Sequence, residues 1–104
     1  MKFQNLEFEP EAVGSLCRKW NISRLDLFGS ALRDDFGPQS DIDLLVEFEP
    51  GAHVSLIDLD RAEMEFARVF GRRVELVSRR GIEASQNWIR RRNILDSAVM
   101  LFAA

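Results

Sequence analysis

Residues 41–48 read DIDLLVEF, and no other stretch of the chain constrains its own conformation as tightly. Ile42, Leu44, Val46 and Phe48 recur at every second position. In an extended chain they share one face, and Asp41, Asp43, Leu45 and Glu47 share the other. The alternation predicts a strand from Asp41 to Phe48 with one side in a core. It also sets two aspartates together on the opposite side, an arrangement that costs energy beside a core unless something cationic lies between them.

Local punctuation organises the rest. Pro10 opens a predicted helix to about Trp20, with Val13, Leu16, Cys17 and Trp20 on one face. Leu25 to Phe28 reads as a short strand ended by Gly29-Ser30, then a brief helical turn through Arg33 and a loop at Gly37-Pro38. Beyond Pro50-Gly51 a helix is predicted from about Ser55 to Phe70, with Leu56, Leu59, Ala62, Phe66 and Val69 facing inward and Gly71 as its stop. Arg73 to Val77 reads as a third strand, and the tail as one or two helices, the last carrying Leu95, Ala98, Val99 and Phe102 on one side. The order α-β-(short α)-β-α-β-α predicts an α/β (α+β) fold, a small mixed sheet of three to four strands flanked by helices. The passage from Asp41 to Val77 is long enough for a parallel crossover. Bringing Gly29-Ser30 to Asp41 requires the first strand pair to run antiparallel, which makes the sheet mixed.

A length of 104 residues fits one domain, 1–104. At 46% hydrophobic residues the core is modest, and a chain this small is often completed by a partner or a second copy of itself. No apolar run approaches the roughly 18 residues of a membrane span, and the N-terminus has no apolar signal-peptide core, so the expected setting is the cytoplasm. The single cysteine, Cys17, has no disulfide partner within the chain, fits a reducing compartment, and sits on the apolar stripe as a packing residue. The net charge of −3 divides unevenly: 14 acidic and 6 basic residues lie in 1–65, 3 acidic and 8 basic in 66–104. The acidic total argues against direct nucleic-acid binding, while the basic C-terminal third suits phosphates or an acidic partner. For Trp88 and Arg90-Arg91-Arg92 the expectation is a packed tryptophan beside solvated arginines. His53, Asp34 and Asp35 read as solvated loop residues.

The paired aspartates carry the chemistry. Hard oxygen ligands at this spacing suit Mg²⁺, which takes one or two carboxylates and completes its shell with water and substrate phosphate. With the right register Glu75 becomes a third carboxylate, and three can hold two ions that align an attacking oxygen with a phosphoryl centre. Gly29 lets backbone approach a phosphate closely, Ser30 adds a hydroxyl at the start of a helix, and Arg33 adds positive charge. Arg79 and Arg80 lie just after the Glu75 strand, within reach of the same phosphates. No Walker A loop, G-x-G-x-x-G or EF-hand loop is present.

The stretch LFGSALRDDFGPQSDIDLLVEFEPG, supported by GRRVELVSRRG and ILDSAVMLFAA, resembles the polymerase-β-like nucleotidyltransferase superfamily, and within it the minimal nucleotidyltransferase (MNT) antitoxins of HEPN/MNT pairs. The resemblance implies that Gly29, Ser30, Arg33 and Ser40 bind the nucleotide. It implies that Asp41, Asp43 and Glu75 are the catalytic, Mg²⁺-binding set for two ions. It further implies transfer of AMP from ATP to a hydroxyl, often a tyrosine, of a HEPN ribonuclease toxin. The chain departs from the G-S-R-x-R pattern at Ala31 and has a glutamate at 75 where an aspartate is common. A contact-only antitoxin with a vestigial nucleotide site is the alternative expectation.

Overall fold

The computed structural model describes residues 2–3, 6–29 and 41–104. Its elements are β1 (Lys2–Phe3), β2 (Leu6–Glu7), α1 (Pro10–Lys19), β3 (Ile22–Phe28), β4 (Ile42–Phe48), α2 (Leu56–Phe70), β5 (Val74–Ser78), α3 (Arg79–Glu83), α4 (Trp88–Ser97) and β6 (Val99–Ala103). The main sheet has the order β5-β4-β3-β6, and β1 pairs with β2 in a separate antiparallel ribbon. β3 and β4 run antiparallel with Phe28 opposite Asp43, and β4 and β5 run parallel with α2 as the crossover. The mixed sheet expected from the need to join Gly29 to the aspartates is therefore present.

Each face of the sheet has its own core. Leu25, Leu27, Ile42, Leu44, Val46, Val74 and Leu76 pack against Val13 and Cys17 of α1 and Ala62, Phe66 and Phe70 of α2. Buried Leu, Ile and Phe side chains each contribute roughly 1.5–3 kcal/mol, so this layer dominates the stability of the fold. Burial pushes the Cys17 thiol up from about 9 to about 12, which fits a packing residue rather than a nucleophile. On the opposite face Phe28 and Leu45 meet Ile82 of α3 and Ile94 of α4, with Val77, Leu95 and Ala98 at the margin. This second layer is thin, and it leaves room beside it.

Local chemistry sets the boundaries. The Ser55 side chain accepts from the Asp58 N–H at 3.1 Å and the Asp58 carboxylate accepts from the Ser55 N–H at 3.2 Å, a reciprocal cap that starts α2. Gly71 ends it at φ 66°, a left-handed conformation that glycine adopts without penalty. Glu63 of α2 accepts from the Leu76 N–H at 2.9 Å, satisfying a backbone donor on the edge strand β5.

Three expectations need correction. Residues 99–103 form a strand rather than the end of a helix, because β3 offers an open edge to which Val99–Ala103 pairs. Leu56 does not face inward; at the first turn of α2 it is 82% exposed. The Leu25 strand begins earlier, at Ile22, and the chain opens with two further short strands, β1 and β2, that carry no alternation to mark them. The helical turn through Arg33 and the Gly37-Pro38 loop lie outside the described residues.

Candidate active site

The site is built on the sheet face opposite α1 and α2. Asp43 and Glu75 are directly paired across the parallel β4–β5 ladder, so their side chains leave the sheet on the same side. Neighbouring strands are ~4.8 Å apart, which brings two carboxylates together. On the other flank of β4, Phe28 pairs with Asp43 and the chain then turns at Gly29 with φ 75°. A Cβ placed on Gly29 would collide with the Asp43 carboxylate, whose Cγ it would meet at 3.2 Å. Glycine is thus required twice over, by its backbone angle and by the group packed on it.

These residues border a cleft of about 820 Å³, within the range of small-molecule sites. Its sheet wall consists of Phe28, Gly29, Asp43, Glu75 and Val77; its other wall is α4, through Ile89, Arg90, Asn93, Ile94 and Ser97. The four-residue spacing of Ile89, Asn93 and Ser97 aligns them on one stripe of the helix, next to Arg90 and Ile94. Asn87 caps α4 by accepting from the Arg90 N–H at 3.2 Å. Arg91 fastens α4 to α3, donating from Nη1 to the carbonyls of Glu83 at 3.2 Å and Ser85 at 3.4 Å.

An ion cluster lies on the same sheet face. Asp26 is fully buried, accepts from Arg24 Nε at 2.9 Å and Nη2 at 3.1 Å, and is also bonded by Arg79 at the start of α3. The hydrogen bond to Asp26 raises the Arg24 pKa above its ordinary value, which fixes its charge. Arg79 is engaged in this cluster with a side chain only 11% exposed, so the expectation that it reaches phosphate is corrected. The role of Asp26 is not legible in the sequence: an acid inside RLDLF, with one partner 53 residues away, gives no local signal.

The other expected residues divide as follows. Asp43, Glu75 and Gly29 come together; Asp41 precedes β4 and is exposed, and it is not one of the described residues lining the cleft. Ser30, Arg33 and Ser40, along with Ala31, Asp34 and Asp35, lie outside the described residues. Among the described residues no three His, Cys, Asp or Glu side chains gather as a metal-holding group; of the three expected carboxylates, Asp43 and Glu75 line the cleft. Trp88 is 58% exposed rather than packed, because α4 buries only Ile94. His53 is exposed, as expected for a loop residue. Arg80 faces a separate groove with Ser78 and Leu56.

A family profile described as nucleotidyltransferase domain matches residues 10–101, and the chain belongs to that family. A curated relative from Methanocaldococcus jannaschii, designated a candidate protein adenylyltransferase (MJ0435), is 40% identical over 60 residues, 58% of this chain and 62% of that protein. The chain thus spans less than two thirds of that relative's length. A solved structure of a candidate minimal nucleotidyltransferase is 37% identical, covers 86% of each chain and superposes with a TM-score of 0.65. A crystal structure of a toxin–antitoxin with AMP-PNP superposes at 0.68 over 92% of this chain and 74% of its own, at 17% identity, a likeness of fold. Among the described residues no helix is long and apolar enough to cross a membrane.

Proposed function

We propose that the chain is a Mg²⁺-dependent nucleotidyltransferase that moves AMP from ATP to a hydroxyl, a tyrosine being the expected acceptor, of a HEPN-type toxin, and so acts as its antitoxin in the cytoplasm. The observation that carries this reading is the in-register pair Asp43–Glu75 at a cleft bordered by Gly29. A relative designated a candidate protein adenylyltransferase and a toxin–antitoxin of the same fold with AMP-PNP support the nucleotide and the partner.

Two hard carboxylates on one face, Asp43 and Glu75, fit Mg²⁺; Asp41, exposed just before β4 and outside the cleft lining, belongs to the metal set only through the family resemblance. Bound there, one or two Mg²⁺ ions would offset the charge of the triphosphate and of the departing pyrophosphate. The chain's own groups do the rest. Gly29, lacking a side chain, lets the phosphates approach the backbone, and Ser30, Arg33 and Ser40 complete the nucleotide-binding set. The acceptor oxygen bonds to the α-phosphorus as the bond to pyrophosphate breaks, and the hydroxyl proton passes to a carboxylate in the cleft, Glu75 in this reading. The α4 wall orients the nucleotide against these groups and narrows access for water.

A second reading, a mask that blocks the toxin by contact alone, draws on the absence of a three-carboxylate group among the described residues. Incubation of the protein with Mg-ATP and its toxin partner separates the two. Under the transferase reading the partner gains adenylyl mass, whereas an unmodified yet silenced partner means masking.

A further inference from the structure

We infer that the α4 wall of the cleft recognises the nucleotide itself, with Asn93 reading the edge of an adenine base and Arg90 acting as countercharge to its phosphates. The inference rests on the nucleotidyltransferase reading and adds to it the groups that select the nucleotide.

The two walls differ in chemistry. The sheet wall presents the carboxylates Asp43 and Glu75, and α4 opposite presents Arg90, the one cationic side chain among the described lining residues. A ligand spanning the cleft must therefore satisfy a guanidinium on one side and, through a cation, carboxylates on the other, as a phosphate chain does. Next to Arg90 the lining turns apolar. Ile89 and Ile94 on α4 face Phe28 and Val77 on the sheet, giving apolar surface on both walls for a flat ring, and Asn93 stands on the Ile89–Ser97 stripe of α4. A side-chain amide offers one acceptor and two donors. Adenine presents a complementary amino donor and ring-nitrogen acceptor, so both bonds form with one residue. The Ser97 hydroxyl is taken up by the Asn93 backbone carbonyl one turn earlier, so of the two polar side chains on this stripe Asn93 is the one that offers both donors and an acceptor to the cleft.

The test is titration of the whole chain, with Mg²⁺, against ATP, GTP and CTP. Wild type should prefer ATP. Asn93→Asp keeps only acceptors, so it should weaken ATP about tenfold or more and improve GTP, whose ring N–H and amino group donate. Asn93→Ala should reduce the preference without reversing it, and Arg90→Ala should weaken all three nucleotides by a similar factor. Both positions are exposed on α4, and a melting curve for each variant guards against misfolding. An ATP to GTP ratio unchanged in Asn93→Asp and Asn93→Ala would overturn base reading while nucleotide binding stands. A wild type that binds none of the three removes the nucleotidyltransferase reading as well.

Discussion

Glu75 stands directly opposite Asp43 on the parallel β4–β5 ladder, one position along from the buried pair Ile42–Val74. The core thus fixes the carboxylates: Ile42 and Val74 anchor one face, and the next residue on each strand has to leave on the other. Under the proposed function, Glu75→Gln keeps this geometry and removes one charge. We expect nucleotide binding close to wild type and a transfer rate reduced by 100-fold or more, about 2.7 kcal/mol or more of transition-state stabilisation. Mass spectrometry of the co-expressed partner checks this. A partner silenced by Glu75→Gln, with no adduct from either protein, would support masking instead.

Replacing both aspartates, Asp41→Asn with Asp43→Asn, should abolish transfer and leave the metal-free fold as stable as wild type or more so. Asparagine keeps the size and much of the hydrogen-bonding capacity of aspartate, so the contacts of both side chains can be retained while their mutual repulsion is relieved. Thermal melting in a chelator is the decisive measurement, and a midpoint several degrees lower would count against it.

Gly29→Ala should cost activity more than stability. The added methyl meets the Asp43 carboxylate, and the residue must hold φ 75°, a conformation costing non-glycine residues roughly 1–2 kcal/mol. Denaturant unfolding should show a loss of that order. Transfer should fall further, by 10-fold or more, since a displaced Asp43 misaligns the reacting groups.

Asp26→Ala strands Arg79 in a nearly buried position, and a broken buried pair costs about 3–5 kcal/mol. Arg79→Met should cost less, because Asp26 keeps the bidentate Arg24. Urea unfolding of the two variants tests the order, and equal losses would mean that Arg24 does not hold Asp26 alone.

The centre of the fold was legible because its signals are local. DIDLLVEF contains its own faces, and Ser55, Asp58 and Gly71 mark the ends of α2 within a few residues. Where the deciding contact is distant, the sequence misleads. Leu95, Ala98, Val99 and Phe102 are spaced as on a helix, yet the open edge of β3, some 75 residues earlier in the chain, draws Val99–Ala103 into the sheet. The partnership of Asp26 with Arg79 and the cleft wall of α4 are likewise products of tertiary placement. Glu75 was legible only conditionally, since its role depended on a register that β4 and β5 settle together.

The two walls of the cleft are held by unequal means. β4 lies between two hydrogen-bonded strands, while α4 buries a single residue, Ile94, and leans on α3 through Arg91. Protection against exchange follows local opening free energy, so amide protons of α4 should exchange with solvent well before those of β4, which hydrogen-exchange mass spectrometry reads directly. Under the proposed function, a ligand would then leave by a momentary yielding of α4 while the carboxylates on the sheet keep their places. Release would thereby depend on α4 and fold integrity on the strands, so that a sequence change loosening α4 should speed release without touching the sheet.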